Sequence, residues 1–286
     1  MQAERPSEPE RLLGAGDLAL AADRFGPSDG SPVILLHGGG QTRHAWGATA
    51  RMLAERGYHV LALDLRGHGD SAWSEALDYG LSAFRDDVVE VLEGFDSPAV
   101  VIGASLGGIA GLLAAGEAAP HKVRALVLVD ITPAPAQEGT RHIQTFMNSN
   151  PEGFANLDEA ADAVAAYLPH RERPKNPAGL MRNLRQRDGR LYWHWDPNFL
   201  AVTTNDRHSN SDRLAIAARG VRAPTLLVRG EESEVVGLEE LERFRDLMPE
   251  ADVINVPGAR HMVAGDQNTD FGSALLGYLA ETAPPR

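Results

Sequence analysis

No cysteine occurs among the 286 residues, which excludes disulfides, thiolate nucleophiles and zinc held by cysteine. Cationic charge is also scarce: 27 lysines and arginines face 40 aspartates and glutamates, a formal charge of −13. A surface of that sign repels phosphate backbones and anionic lipid, so neither a nucleic acid nor a membrane surface is expected as partner. No run of about eighteen apolar residues is present, and the opening MQAERPSEPERLL lacks the apolar stretch of a secretion signal. A cytoplasmic location is therefore expected. HExxH and tight His/Asp clusters are missing too, so the sequence asks for no metal and no cofactor. What remains is ordinary for a globular protein with one sizeable core: 43% hydrophobic and 23% charged residues.

Short aliphatic runs alternate with longer helical patterns. Val33–Leu36, Val60–Leu63, Ala99–Ile102, Leu126–Val129, Thr225–Val228 and Val253–Val256 read as buried strands. Helical segments are expected at Thr42–Arg56, Leu81–Gly94, Leu106–Ala118, Leu238–Leu247 and Phe271–Glu281. Near-continuous apolar strands separated by helices specify an α/β fold, a parallel sheet covered on both faces. Leu18–Ala22 is expected to add an antiparallel strand at the edge. From Pro133 to Arg219 the rhythm stops and aromatic and basic residues concentrate. So long a stretch without its own structure is improbable in a compact domain. A mainly helical lid over 133–219 is expected, with helices at Thr140–Asn148, Leu157–Tyr167 and Pro177–Arg187, inserted into a core domain of 1–132 and 220–286.

Three motifs carry chemistry. Ala99-Val-Val-Ile-Gly-Ala-Ser105-Leu-Gly-Gly108 places a serine between a strand and a helix with glycine at −2 and +2, the pattern of a nucleophile elbow. The helix N-terminus behind Ser105 favours negative charge developing there. An earlier strand ends in His37-Gly-Gly-Gly40, a loop whose backbone can approach a substrate closely. An acyl-transfer enzyme needs two N–H donors for the tetrahedral oxyanion, expected here from Leu106 and Gly39, with Gly40 next. His37 itself is expected to be structural. Third, Gly258-Ala-Arg-His261-Met follows the last strand, where a general base can reach across to the serine. The acid that orients this histidine is expected among Glu231, Glu232 and Glu234 after Thr225–Arg229, with Glu234 chosen because it adjoins Val235-Val236. Asp130, ending the preceding strand, is the rival.

Taken in chain order, His37-Gly-Gly-Gly40, Asp64-Leu-Arg-Gly-His-Gly-Asp-Ser71, Gly-Ala-Ser105-Leu-Gly-Gly108, Glu234 and His261, the motifs resemble the α/β-hydrolase superfamily over nearly the whole chain. The resemblance implies an eight-stranded, mostly parallel sheet with a helical cap after the sixth strand, and a structural role for the Asp64–Ser71 turn and its His68. Close relatives mostly carry aspartate at the acid position, where this chain is read as Glu234. Members with an aspartate nucleophile perform alkyl-enzyme chemistry, against which Ser105 argues. The expected activity is hydrolysis of a carboxylic ester through an acyl-enzyme. Perhydrolysis, lactone opening, carbon–carbon cleavage and a non-catalytic ligand receptor are the alternatives. Phe146, Tyr192, Trp193, Trp195 and Phe199 supply bulky apolar groups in the lid, Phe146 and Trp195 foremost as pocket residues. The expected partner is a small molecule with an apolar acyl or aromatic part; homo-oligomerisation is left open.

Overall fold

The computed structural model describes residues 9–173, 175–203, 207–263 and 268–285. Among the described residues the strands are β1 Glu10–Leu13, β2 Ala19–Phe25, β3 Ser31–Leu36, β4 Tyr58–Leu63, β5 Ala99–Ala104, β6 Val123–Val129, β7 Leu184–Arg187, β8 Arg190–Trp193, β9 Thr225–Gly230 and β10 Asp252–Val256. Eight of them form one sheet in the order β1-β2-β4-β3-β5-β6-β9-β10. β2 pairs antiparallel with both its neighbours, β1 and β4, and the remaining neighbours in that sheet run parallel. The expected edge strand is therefore β2, with a further strand outside it.

The helices are α1 Gly47–Ala54, α2 Leu81–Glu93, α3 Leu106–Leu113, α4 Gln137–Met147, α5 Leu157–Tyr167, α6 Pro197–Thr203, α7 Arg207–Gly220, α8 Leu238–Leu247 and α9 Asn268–Thr282. Strand side chains alternate between faces, and the sheet uses both. Ile34 and Leu36 join a core with α2, α3, α7 and α8, whereas Val33 and Leu35 join one with α1 and α9. β3, β4, β5, β6 and β9 are buried almost throughout, as their uninterrupted apolar runs require. Among the described residues no helix is long and apolar enough to cross a membrane.

β3 lies between β4 and β5, so the chain moves one way from β3 to β4 and the other way from β3 to β5. Such a reversal opens a crevice beyond the carboxyl ends of the strands. The His37 loop leaves β3 there, and Ser105 leaves β5 beside it.

An insert separates β6 from β9. It holds α4, α5, α6, α7, a 3₁₀ turn at Pro177–Asn183 and the β7–β8 hairpin. The helix expected over Pro177–Arg187 is thus replaced by a turn and a strand. Asp188 and Gly189, both at positive φ (50° and 77°), make the two-residue connection. An Asp-Gly pair is a strong hairpin signal because that connection needs left-handed residues. α7 lies against the segment continuing α3, where a side chain on Gly116 would strike the backbone of Ala217.

Candidate active site

Ser105 sits at φ 46°, ψ −114°, between β5 and α3. A non-glycine residue there is strained and persists only where its surroundings over-determine it. The surrounding glycines supply that constraint. A Cβ on Gly103 would strike the carbonyl of Gly107, one on Gly107 would stand 2.5 Å from Leu36 O, and one on Gly108 would strike Ile131. The GxSxGG pattern is thus the condition for β5, α3 and β3 to approach closely enough to hold the bend. The Ser105 amide donates to Val129 O (3.3 Å), and Gly107 N–H to His37 O (3.2 Å).

The Gly38–Gln41 turn faces the serine. Gln41 N–H donates to Gly38 O (3.0 Å), and Gly40 takes the positive φ of 76° that the turn requires. A Cβ on Gly38 would stand 3.4 Å from the Ser105 Cβ, which measures how closely this backbone passes the hydroxyl-bearing residue. Leu106 opens α3, so its N–H has no intrahelical acceptor. Among the described residues, neither Leu106 N–H nor Gly39 N–H meets a backbone acceptor.

His37 is buried beneath the turn. It accepts from Leu65 N–H at Nε2 (3.0 Å), so its Nδ1–H donates to Gly38 O (2.8 Å). Burial holds its pKa down at about 4, keeping it neutral. In the Asp64–Ser71 turn, Asp64 accepts from Arg43 N–H (2.6 Å), the Arg43 guanidinium and Asp70 N–H (2.8 Å). Gly69 passes so close to that carboxylate that no side chain fits. His68 is buried with Nδ1 on Arg66 O (2.9 Å), and burial holds its pKa near 3. His37 and His68 are both embedded in structure, as read from the sequence.

His261 follows β10 in a loop that packs against the end of β9; a Cβ on Gly230 would stand 2.5 Å from Arg260 O. Its Nδ1 lies 2.9 Å from Oδ2 of Asp130, a fully buried carboxylate at the end of β6. The carboxylate accepts, so Nδ1 carries a hydrogen, and Nε2, on the far side of the ring, makes no bond to Asp130. Asp130 accepts twice more, from Gly230 N–H (2.9 Å) and the Ser233 hydroxyl (2.5 Å).

Here the sequence reading is corrected, because the partner of His261 is Asp130 and Glu234 is exposed. The cause is local. Ser233, tied to Asp130, also accepts from Val235 N–H (3.1 Å) and Val236 N–H (3.0 Å). That turn drives Val235 and Val236 into the core and leaves Glu234 on the outside. The two valines that suggested an inward glutamate fill the interior themselves.

Ser105, Leu106, Gly39 and His261 all line one cavity of about 1040 Å³ beneath the insert. Phe146, Trp193, Trp195 and Phe199 line it; Tyr192 is not among the lining residues and lies under the Arg187 guanidinium. Phe146 stacks on Tyr167 (4.0 Å between ring centres), and Trp193 on Trp195 (5.1 Å). Sequence reasoning missed Tyr167, whose position at the end of α5, one turn from Val164, was the available signal. Burial, followed by the nearby Glu234 charge, pushes the Tyr167 phenol up to about 12. The arrangement offers a hydroxyl on a strained bend, an imidazole oriented by a buried carboxylate, and two amides without a backbone acceptor, all on one cavity. These are the parts of nucleophilic acyl transfer.

Comparison with known proteins shows the family and the fold. A family model described as alpha/beta hydrolase fold matches residues 31–266. An esterase of Mycobacterium tuberculosis is 32% identical, the match covering 91% of this chain and 86% of that protein. The 2-(acetamidomethylene)succinate hydrolase of Mesorhizobium japonicum is 29% identical over 88% of each chain. A crystal structure of an esterase from M. tuberculosis superposes with a TM-score of 0.73 at 30% identity, covering 97% of this chain and 92% of that one. A crystal structure of E-2-(acetamidomethylene)succinate hydrolase gives a TM-score of 0.81 at 23% identity, covering 95% and 98%, a likeness of fold.

Proposed function

We propose, from the premise that the chain belongs to the α/β-hydrolase family and is a hydrolase, that it cleaves carboxylic esters through an acyl-enzyme on Ser105. The observation that carries this reading is the His261–Asp130 hydrogen bond, which engages Nδ1 and so makes Nε2 the ring nitrogen left to serve as base, on the same cavity as the Ser105 elbow.

The Ser105 hydroxyl gives its proton to His261 Nε2 as Oγ bonds to the ester carbon. The carbonyl oxygen becomes an oxyanion held by the Gly39 and Leu106 amides. The imidazolium, stabilised by Asp130, then protonates the leaving alkoxide as the carbon–oxygen bond breaks. In the second half His261 takes a proton from water, the resulting hydroxide attacks the acyl carbon, and Ser105 leaves with that proton restored. Residues 133–219 act as the lid over a core of 1–132 and 220–286. The paired aromatics on its inner side give the acyl or aryl part of the substrate an apolar lodging.

The test is labelling of the intact protein by a fluorophosphonate, together with turnover of p-nitrophenyl esters of increasing acyl length. Labelling and turnover should both vanish in Ser105→Ala, with kcat falling on the order of 10⁶-fold. A Ser105→Ala protein that still turns over at the wild-type rate ends the proposal. A second reading has one support: a relative of Metapseudomonas resinovorans, 27% identical, is a 2-hydroxy-6-oxo-6-(2'-aminophenyl)hexa-2,4-dienoic acid hydrolase. A substrate of that kind belongs in the same panel.

A further inference from the structure

The Gly38–Gln41 turn has no side chain of its own at its second and third positions, Gly39 and Gly40, to hold it in place. Gln41, its last residue, accepts from Gly38 N–H at Oε1 (3.0 Å); the contacts to Gly40 come from elsewhere in the chain. From the insert, His194 is buried at the corner after β8. It accepts from Gly69 N–H at Nδ1 (2.7 Å), so its hydrogen sits on Nε2 and donates to Gly40 O (3.2 Å). Its own N–H donates to Asn183 O (3.1 Å), and two residues on, Asp196 N–H donates to Gly67 O (2.8 Å). Trp195 packs against the turn, with Cζ3 3.3 Å from where a Gly40 Cβ would be. The insert thereby grips both the Asp64–Ser71 turn and the glycine loop at one point.

Peptide geometry carries that grip to the site. A trans peptide is planar, with its C=O and N–H pointing opposite ways. Fixing Gly40 O therefore directs Gln41 N–H, which donates to Gly38 O. Gly38 O is also held by His37 from below. Fixing Gly38 O in turn directs the N–H on the other side of the same plane, that of Gly39.

We propose that His194 is a positioning residue for the reaction: by holding the Gly40 carbonyl from the insert side, it aims the Gly39 N–H at the oxyanion. This rests on the ester-hydrolase reading above. It makes an insert residue outside the cavity lining part of what readies the oxyanion site, so that a misplaced insert would lower turnover without removing any group that touches substrate.

The experiment compares two variants. In His194→Asn the side chain is long enough to keep the Gly69 N–H but too short to reach Gly40 O, whereas in His194→Gln the amide N–H can replace Nε2–H. An oxyanion contact exists only in the transition state. His194→Asn should therefore lose about 10- to 100-fold in kcat with KM within about twofold, in line with a displaced donor. A trifluoromethyl ketone, which forms a hemiketal oxyanion with the serine, should weaken by the same factor, while the product acid binds unchanged. His194→Gln should recover most of the loss. Three outcomes overturn the inference: wild-type kcat in His194→Asn, equal losses for the ketone and the product acid, or no difference between the two variants. The first of these, with Ser105→Ala inactive, sinks the positioning role alone. Activity persisting in Ser105→Ala sinks the hydrolase reading beneath it.

Discussion

Asp130 and His261, 131 positions apart in the chain, meet through a 2.9 Å hydrogen bond between Oδ2 and Nδ1. The acid stands at the end of β6 and the base after β10, with β9 between those strands in the sheet. The span is closed by Gly230 and Ser233 at the end of β9, each donating to the same carboxylate. The carboxylate is thereby fixed in three directions, and the imidazole takes its tautomer from it.

Asp130→Asn should lower kcat by about 10³- to 10⁴-fold, because an amide either presents the wrong partner or reverses the tautomer. Glu234→Gln should leave kcat within about twofold. Steady-state kinetics on one p-nitrophenyl ester decide between them, and a larger loss in Glu234→Gln would return the acid to the β9 loop.

Ser233→Ala removes a donor to Asp130 and the acceptor for the Val235 and Val236 amides. Groups of three buried residues lose partners at once, so urea unfolding should show a loss of about 1–3 kcal/mol. Turnover should drop about tenfold as Asp130 loosens. Unchanged stability and rate would mean that this turn is held by packing alone.

Gly107→Ala places a methyl 2.5 Å from Leu36 O, backbone that cannot yield without parting α3 from β3. Instability of about 3 kcal/mol or more is expected. Gly39→Ala differs, since its methyl would meet only Phe199, at 3.5 Å. That variant should fold with a melting temperature near the wild type. Equal melting temperatures for both variants would contradict the close approach at the elbow.

The buried histidines make stability pH-dependent. Unfolded, His37 and His68 take up protons near pH 6.5; folded, burial holds them down to about 4 and about 3. Between those limits the unfolded chain binds more protons. Stability is therefore full above about pH 6.5 and falls as pH is lowered towards 4. Asp64, Asp196, Arg43 and the rings of His37 and His194 surround this group. His68→Asn keeps a donor for Arg66 O but does not titrate, so the slope of unfolding free energy between pH 6.5 and 5 should shrink by about one proton. An unaltered slope would show that His68 is already protonated in the folded state.

Much of the candidate site was legible in the sequence because its parts are local. Strand, turn and helix around Ser105 lie within about ten residues, and glycines at fixed offsets announce a backbone that must pass close to another. The loop after Leu36 and the histidine after Val256 are readable for the same reason, as each sits where an apolar run ends. The β7–β8 hairpin was also local, through Asp188-Gly189, but its short strands carry no apolar core run, so Pro177–Arg187 read as a helix of the lid.

Sequence alone determined the alternation of strands and helices, the elbow and the position of His261, since each depends on spacing within one short segment. Only the tertiary structure decided which carboxylate meets the imidazole and which insert residues reach the glycine loop. Both are contacts between segments far apart in the chain. The first turned on a two-residue difference in how the β9 loop bends: Ser233 is drawn to Asp130, Val235 and Val236 go inward, and Glu234 is left in water.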